Sequence, residues 1–181
     1  MTTSIWVGET EYDDSRIFNT YFKQKINQVG RFEFSMPSAP LTDTDKALII
    51  PGKIVRIAVN GTVRFEGYIT NIKKDKTKKV WTIEGQSLAG ILDTRNTRTP
   101  VTLRAGVDND FITASRVVQQ AVFRFGGFTE TGTTGWTVDA EEGFKSWMYK
   151  YEAQSVLDQI VNAAKISGYD WRVYLDDGAG E

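Results

Sequence analysis

The chain has 181 residues, 40% of them hydrophobic and 12% aromatic. That is enough apolar surface to fill one good-sized domain or two small ones, and it excludes disorder throughout. Its 22 basic and 23 acidic residues leave a net charge of −1, with no cysteine and no histidine, which excludes a global field for nucleic acid or acidic membranes, disulfide frameworks, thiol and Ser-His-Asp catalysis, and Cys/His metal sites.

The N-terminus, MTTSIWVGETEYDD, has neither a basic n-region nor an apolar h-region, so it does not read as a signal peptide, and the expected place of folding is a cytoplasm. No apolar run approaches the ~18–20 residues that a membrane helix needs. Ser4–Val7 is a short apolar segment and Gly8–Ser15 reads as a polar turn. Arg16–Asn27 alternates loosely around Phe18, Tyr21 and Phe22 and reads as a strand. Arg31–Met36 alternates cleanly, with Phe32, Phe34 and Met36 on one face, and Pro37 stops it. Ser38–Lys46 reads as a loop.

The central stretch is the most informative. Lys53–Val59 sets the β-branched Val55, Ile57 and Val59 on the expected core face, opposite Ile54, Arg56 and Ala58. Asn60-Gly61 then marks a type I′ hairpin turn, because both central positions need positive φ. Val63, Phe65, Gly67, Ile69 and Asn71 share one face of the next strand, and Gly67 predicts a bulge or the close approach of another backbone. After the lysine-rich loop, Trp81, Ile83 and Gly85 alternate with Val80, Thr82 and Glu84. This meander is too small to stand alone, so the earlier strands must complete a sandwich or barrel.

Beyond Pro100 the period changes. Asn109–Phe125 carries Ile112, Val117, Val118, Ala121, Val122 and Phe125 at helical spacing, with Thr113 or Ser115 as cap and Gly126-Gly127 as stop. Phe128–Phe144 is polar and glycine-rich. Glu152–Ser167 is the best helix, with Val156, Leu157, Ile160, Val161 and Ala164 as its stripe and Gly168 as its end. Tyr169–Leu175 alternates as a strand and leads into Asp176-Asp177-Gly178, a hairpin signal with three residues after it. The expectation is that the chain is the N-terminal part of something longer. The class expected is α+β, mainly β: an antiparallel barrel or sandwich, two helices, and the start of a second β unit.

Two matched segments point to a family. Pro51-Gly52 before a strand is followed by VRIAVNG, RFEGYITNI and WTIEGQSLAGILDTR, ending at Arg95; further on comes SVLDQIVNAAKISGYDWRVYLDDG, ending at Gly178. In order and spacing this resembles the hub proteins of phage tails and related contractile machines, including the late control protein D family and similar prophage tail proteins. Lys53 departs from the pattern, standing where an acidic residue is common. The resemblance implies tail-tube-like barrel domains: one over residues 1–100, and the start of a second over 101–181. It also implies a homotrimer whose paired domains form a pseudo-sixfold ring between tail tube and spike, with tape-measure protein or DNA passing through the lumen. The expected role is then structural and non-enzymatic, without cofactor or metal, in a virion tail assembled in the host cytoplasm. The alternatives are the N-terminal part of a tail-associated cell-wall hydrolase, or an OB-type barrel binding carbohydrate or nucleic acid through an exposed aromatic face.

Few side chains suggest a site. Lys73, Lys74, Lys76, Lys78 and Lys79 lie between two strands; they read either as a solvated, edge-protecting tip or as a loop that docks on a neighbouring subunit. Docking is favoured over DNA, because the run has no interleaved aromatics and a lumen that held DNA tightly would stall ejection. Glu141 and Glu142 follow Asp139, but adjacent residues of an extended segment point to opposite faces and make a poor glycosidase pair. Trp136 and Trp147 bracket that region and read as core. Gly126-Gly127 and Gly132–Gly135 match no phosphate-binding fingerprint. Arg95, Arg98 and Arg104 read as a linker face.

Overall fold

A computed structural model describes residues 2–24, 27–94, 101–104, 112–122, 145–146, 148–151 and 154–173. The chain divides into two compact units, Met1–Ala89 with Val173–Glu181, and Gly90–Arg172.

The first unit is built on one antiparallel sheet. Its strands are β1 (Thr3–Val7), β2 (Thr10–Tyr12), β3 (Phe18–Lys23), β4 (Arg31–Pro37), β5 (Ile54–Val59), β6 (Thr62–Asp75) and β7 (Val80–Ser87). Their order is β2-β1-β5-β6-β7-β4-β3, and the sheet curls into a half-barrel. The central meander is therefore present. The earlier strands flank it on both sides, β1 and β2 beyond β5, β4 and β3 beyond β7. The segment read as a polar turn after Val7 folds back as β2, with Thr10, Glu11 and Tyr12 opposite Val7, Trp6 and Ile5.

One face of this sheet carries the core. Ile5, Val7, Tyr12, Phe32, Phe34, Met36, Val55, Ile57, Phe65, Ile69, Trp81 and Ile83 are buried together, joined by Ile17, Leu41 and Ile49 from the connections. The Asn60-Gly61 turn has the expected geometry, with φ of 51° and 79°. Just past it Ile57 faces Phe65 while Ala58 faces Val63, so Arg64 is an extra residue on β6. A strand that gains one residue turns its side chains over. Val63 accordingly leaves the face of Phe65 and is 47% exposed, and Val59 is only half-buried, whereas Ala58 is buried. A second shift lies between Ile69 and Asn71. It sends Asn71 to the polar face and brings Ile72 onto the core, again contrary to strict alternation.

Gly67 itself is no bulge; it is a point of close approach. A Cβ there would lie 2.1 Å from the Gln86 carbonyl oxygen.

The stretch Ser38–Lys46, read as a loop, holds the start of helix α1 (Asp43–Leu48). Thr42 caps it: its hydroxyl accepts from the Asp45 N–H at 3.1 Å, and the Asp45 carboxylate reaches back to the Thr42 N–H at 2.9 Å. This is a capping box with aspartate in place of the usual Glu or Gln, and it supports a helix of only six residues.

Helix α2 (Ala89–Asp93) follows β7. In the second unit β8 (Val101–Arg104) pairs with β11 (Met148–Tyr151), and β9 (Ile112–Thr113) pairs with β10 (Lys145–Ser146). Helix α3 (Ala114–Gln120) starts on Thr113, one of the two expected caps, whose hydroxyl accepts from the Arg116 N–H at 3.3 Å. It starts later than the expected Asn109, because Ile112 is taken by β9. Helix α4 (Val156–Ser167) packs against α3. Its buried face holds Val156, Leu157, Gln159, Ile160 and Ala163, so the stripe is rotated away from the expected Val161 and Ala164. Gly168 ends it in the left-handed region, at φ 73°, as expected. Residues 169–173 form no regular strand.

Ser155 starts α4 by accepting from the Asp158 N–H at 3.0 Å. Ser155→Ala leaves that donor unpaired and is expected to cost about 1 kcal/mol, read as a lower urea midpoint with unchanged slope. A change below ~0.3 kcal/mol would mean that α4 is held by packing alone.

Candidate interaction surface

The polar face of the sheet is a set of cross-strand charge pairs. Arg56 meets Glu66 at 3.3 Å, and these residues stand opposite each other on β5 and β6. Glu33 and Glu84 are direct partners on β4 and β7, a like-charged pair that is destabilising by itself. Lys73 offsets it by donating to Glu84, which also accepts from the Asn71 amide at 3.0 Å. The Lys73 and Asn71 hydrogen bonds hold the Glu84 carboxyl below its ordinary range, and Glu84 in turn raises the Lys73 ammonium.

The five lysines of the β6–β7 hairpin therefore fall into two groups. Lys73 is engaged with Glu84. Lys74 lies over the Trp81 ring, 4.0 Å from its centroid, and shields that nearly buried indole. Lys76, Lys78 and Lys79 form the tip and are all exposed. Asp75 does not neutralise them from inside the turn by chance of sequence; its carboxylate accepts from the Thr77 and Lys78 N–H groups, both at 2.9 Å. Lys79 sits at φ 53°, which closes the turn. The result is a braced hairpin whose three end cations have no bonded partner among the described residues.

That hairpin also outruns the sheet. Val55 of β5 lies opposite Gly67, and the last β5 partner is Tyr68, opposite Ile54. Beyond Ile69, which exchanges bonds with Gly52 and Lys53, the outer edge of β6 up to Asp75 carries no strand among the described residues.

The two ends of the sheet differ. At one end β3 exposes Phe18 (39%) and Tyr21 (55%), with Asn19 at φ 52° within a register shift. The irregular backbone blunts this edge. At the other end the β1–β2 hairpin is acidic, with Glu9, Glu11, Asp13 and Asp14 all exposed. Asp14 accepts from the Thr3 N–H and Asp13 from Ser15, while Glu9 and Glu11 have no bonded partner among the described residues.

One cluster had no counterpart in the sequence reading. Asp45, 5% exposed, accepts from the Tyr12 hydroxyl at 2.8 Å, from Arg16 at 2.9 Å, and from the Thr42 hydroxyl and N–H, both at 2.9 Å. Burial pushes the Asp45 carboxyl up, but the Thr42 N–H and the Tyr12, Thr42 and Arg16 side chains together win and bring it down to about 2. Burial and the Asp45 hydrogen bond push the Tyr12 phenol well above its usual value. Oδ1 accepts from Tyr12 and Oδ2 from Arg16 and Thr42, which makes the cluster a structural tie between β2, the following loop and α1. The capping-box spacing from Thr42 to Asp45 is the signal that would have found it.

Among the described residues no group of three acidic, histidine or cysteine side chains is placed to hold a metal, and no helix is long and apolar enough to cross a membrane. The exposed aromatic face that an OB-type binding barrel needs is not on the meander, since Phe65 and Trp81 are buried. Glu141, Glu142, Asp139, Trp136, Trp147, Gly126, Gly127, Gly132, Gly135, Arg95, Arg98 and Asp176–Gly178 lie outside the described residues; Arg104 ends β8.

No known protein family matches the sequence, and no curated protein does. Solved structures do match. A tail protein from Neisseria meningitidis MC58 superposes with a TM-score of 0.59 at 15% identity, over 91% of this chain and 44% of that one. The 43 kDa tail protein of prophage MuSo2 from Shewanella oneidensis gives 0.59 at 12% identity, over 93% and 48%. Prophage tail protein gp18 from Listeria monocytogenes EGD-e gives 0.53 at 10% identity, over 93% and 46%. The chain thus spans less than half the length of each. Its α+β, mainly β fold is one it shares with phage and prophage tail proteins.

Proposed function

We propose that this chain is a structural, non-enzymatic part of a phage or prophage tail: the first portion of a baseplate hub that joins tail tube to spike through a ring of subunits. The single observation that carries the reading is the likeness of fold, over nine-tenths of the chain, to proteins from tails. The hub motifs in Pro51–Arg95 and Tyr151–Gly178 support it independently, since they rest on sequence order and not on superposition. In this reading the barrel of residues 1–100 and the unit beginning at 101 both take part in a homotrimer. Contacts between subunits do the work, with tail-tube, spike and tape-measure proteins as neighbours. The virion tail is its place, after assembly in the bacterial cytoplasm. Nucleic acid passes without being held, in keeping with the net charge of −1.

The test is to induce the prophage, purify intact tails and count this protein by quantitative mass spectrometry against the tube and spike proteins. A fixed copy number of three per tail is expected. Absence from purified tails overturns the reading, and six copies would replace the trimeric hub by a hexameric tube ring.

A further inference from the structure

We infer that the lysine tip of the β6–β7 hairpin docks on the acidic β1–β2 hairpin of a second copy of this chain. The inference rests on the ring-forming reading above and names the two surfaces that meet. Lys76, Lys78 and Lys79 are exposed, have no bonded partner among the described residues, and stand on a turn braced by Asp75. Glu9 and Glu11 are likewise exposed and unengaged, and Asp13 and Asp14 add charge beside them.

Within one copy the two surfaces are kept apart. The acidic turn begins at Gly8, level with Tyr68 through Ile54, and the lysine tip starts beyond Asp75, six ladder steps further along β6 once the extra residue between Ile69 and Asn71 is discounted. At ~3.3 Å per residue that is roughly 20 Å, with β5 also between the two hairpins across the sheet. This exceeds a Debye length of about 8 Å at physiological salt, so neither patch neutralises the other inside one subunit. Between copies they are complementary. The contact joins two different surfaces, hence it is head-to-tail and suited to closing a ring. The unpaired outer edge of β6 from Thr70 to Asp75 adjoins the lysines and leaves the approach open.

The test is a charge swap on the full chain, read by sedimentation velocity and light scattering across protein concentration at low and high salt. The native chain is expected to associate at low salt and to dissociate as salt rises. K76E/K78E/K79E and E9K/E11K should each weaken association at least tenfold, and combining all five changes should restore it. Circular dichroism melts of each variant verify folding; all five positions are exposed. A native chain that stays monomeric at every concentration and salt overturns the inference. So does either reversal without effect, or a five-fold variant that fails to recover. Tails that contain the protein in threes while the swap fails would sink this contact and leave the hub standing.

Discussion

Gly85→Ala is expected to lower the melting temperature by about 10 °C or more. A Cβ at this position would lie 2.2 Å from the Tyr68 carbonyl oxygen and 2.3 Å from two carbons of the Phe32 ring. Phe32 is the direct cross-strand partner of Gly85 on β4, and its ring lies over the glycine, edge-on to Phe65 at 5.6 Å and stacked on Phe34 at 6.1 Å. The ring therefore has aromatic neighbours on its far side and little room to retreat. The Tyr68 carbonyl belongs to β6, where it stands one pair away in the same ladder, opposite Gln86. Relief would need the sheet to open at its centre, at about 3–5 kcal/mol.

Three comparisons separate this cause from others. Gly61→Ala meets open space and is penalised only by its φ of +79°, so it should cost about 1 kcal/mol. Phe32→Leu should not rescue Gly85→Ala, because the carbonyl obstacle remains when the ring is gone. Gly67→Ala should resemble Gly85→Ala, since its Cβ would fall 2.1 Å from the Gln86 oxygen. A Gly85→Ala protein melting within ~3 °C of the native one would mean that this strand pair yields, and that the tight β6–β7 spacing is no determinant of the fold.

These glycines show what sequence carries and what it does not. That Gly67 implies a bulge or a close backbone is legible from a glycine inside an alternating strand; which of the two holds depends on β7, whose register no local pattern fixes. The Asn60-Gly61 turn was fully legible because both positive φ values follow from two adjacent residues. The bulges at Arg64 and Thr70 were not, and each moved a residue off the face it was expected to share with Phe65 and Ile69: Val63 to solvent, Asn71 to the polar face. Alternation counts residues evenly, whereas a curled sheet needs an extra residue where strands bend. Helix α1 was hidden for another reason. The six residues DTDKAL are too few to show an apolar period, and the reciprocal Thr42–Asp45 bonds start the helix. The lysine run was legible as a feature. That Lys73 and Lys74 are engaged depends on Glu84 and Trp81 across the hairpin, which is a tertiary fact.

Asp45→Asn is expected to cost about 3 kcal/mol at pH 7 and about 1 kcal/mol at pH 2. The charge is what the surroundings are built for: the Tyr12 hydroxyl, the Arg16 guanidinium and the Thr42 hydroxyl and N–H all donate to it. Arg16 also lies 4.9 Å from the Tyr12 ring centroid, so the guanidinium is placed by both partners. An amide accepts through one oxygen only; its NH2 meets a donor and leaves Arg16 or Tyr12 without its acceptor in a nearly dry site. The pH dependence follows from the carboxyl being lowered to about 2 in the folded chain from an ordinary 3.8. A depressed carboxyl stabilises the fold fully above its unfolded value, near pH 4. Between pH 4 and 2 the unfolded chain takes up the proton before the folded one does, and about 2 kcal/mol is lost across that window. Other carboxylates titrate there too, so the measurement is the difference in urea midpoint stability between native protein and Asp45→Asn at pH 7, 5, 4, 3 and 2. That difference should be level from pH 7 to 5 and shrink by about 2 kcal/mol by pH 2. A gap that stays constant over the whole range would place the effect of Asp45 in its shape and its capping of α1, and would remove charge from the account of how β2 is tied to the helix.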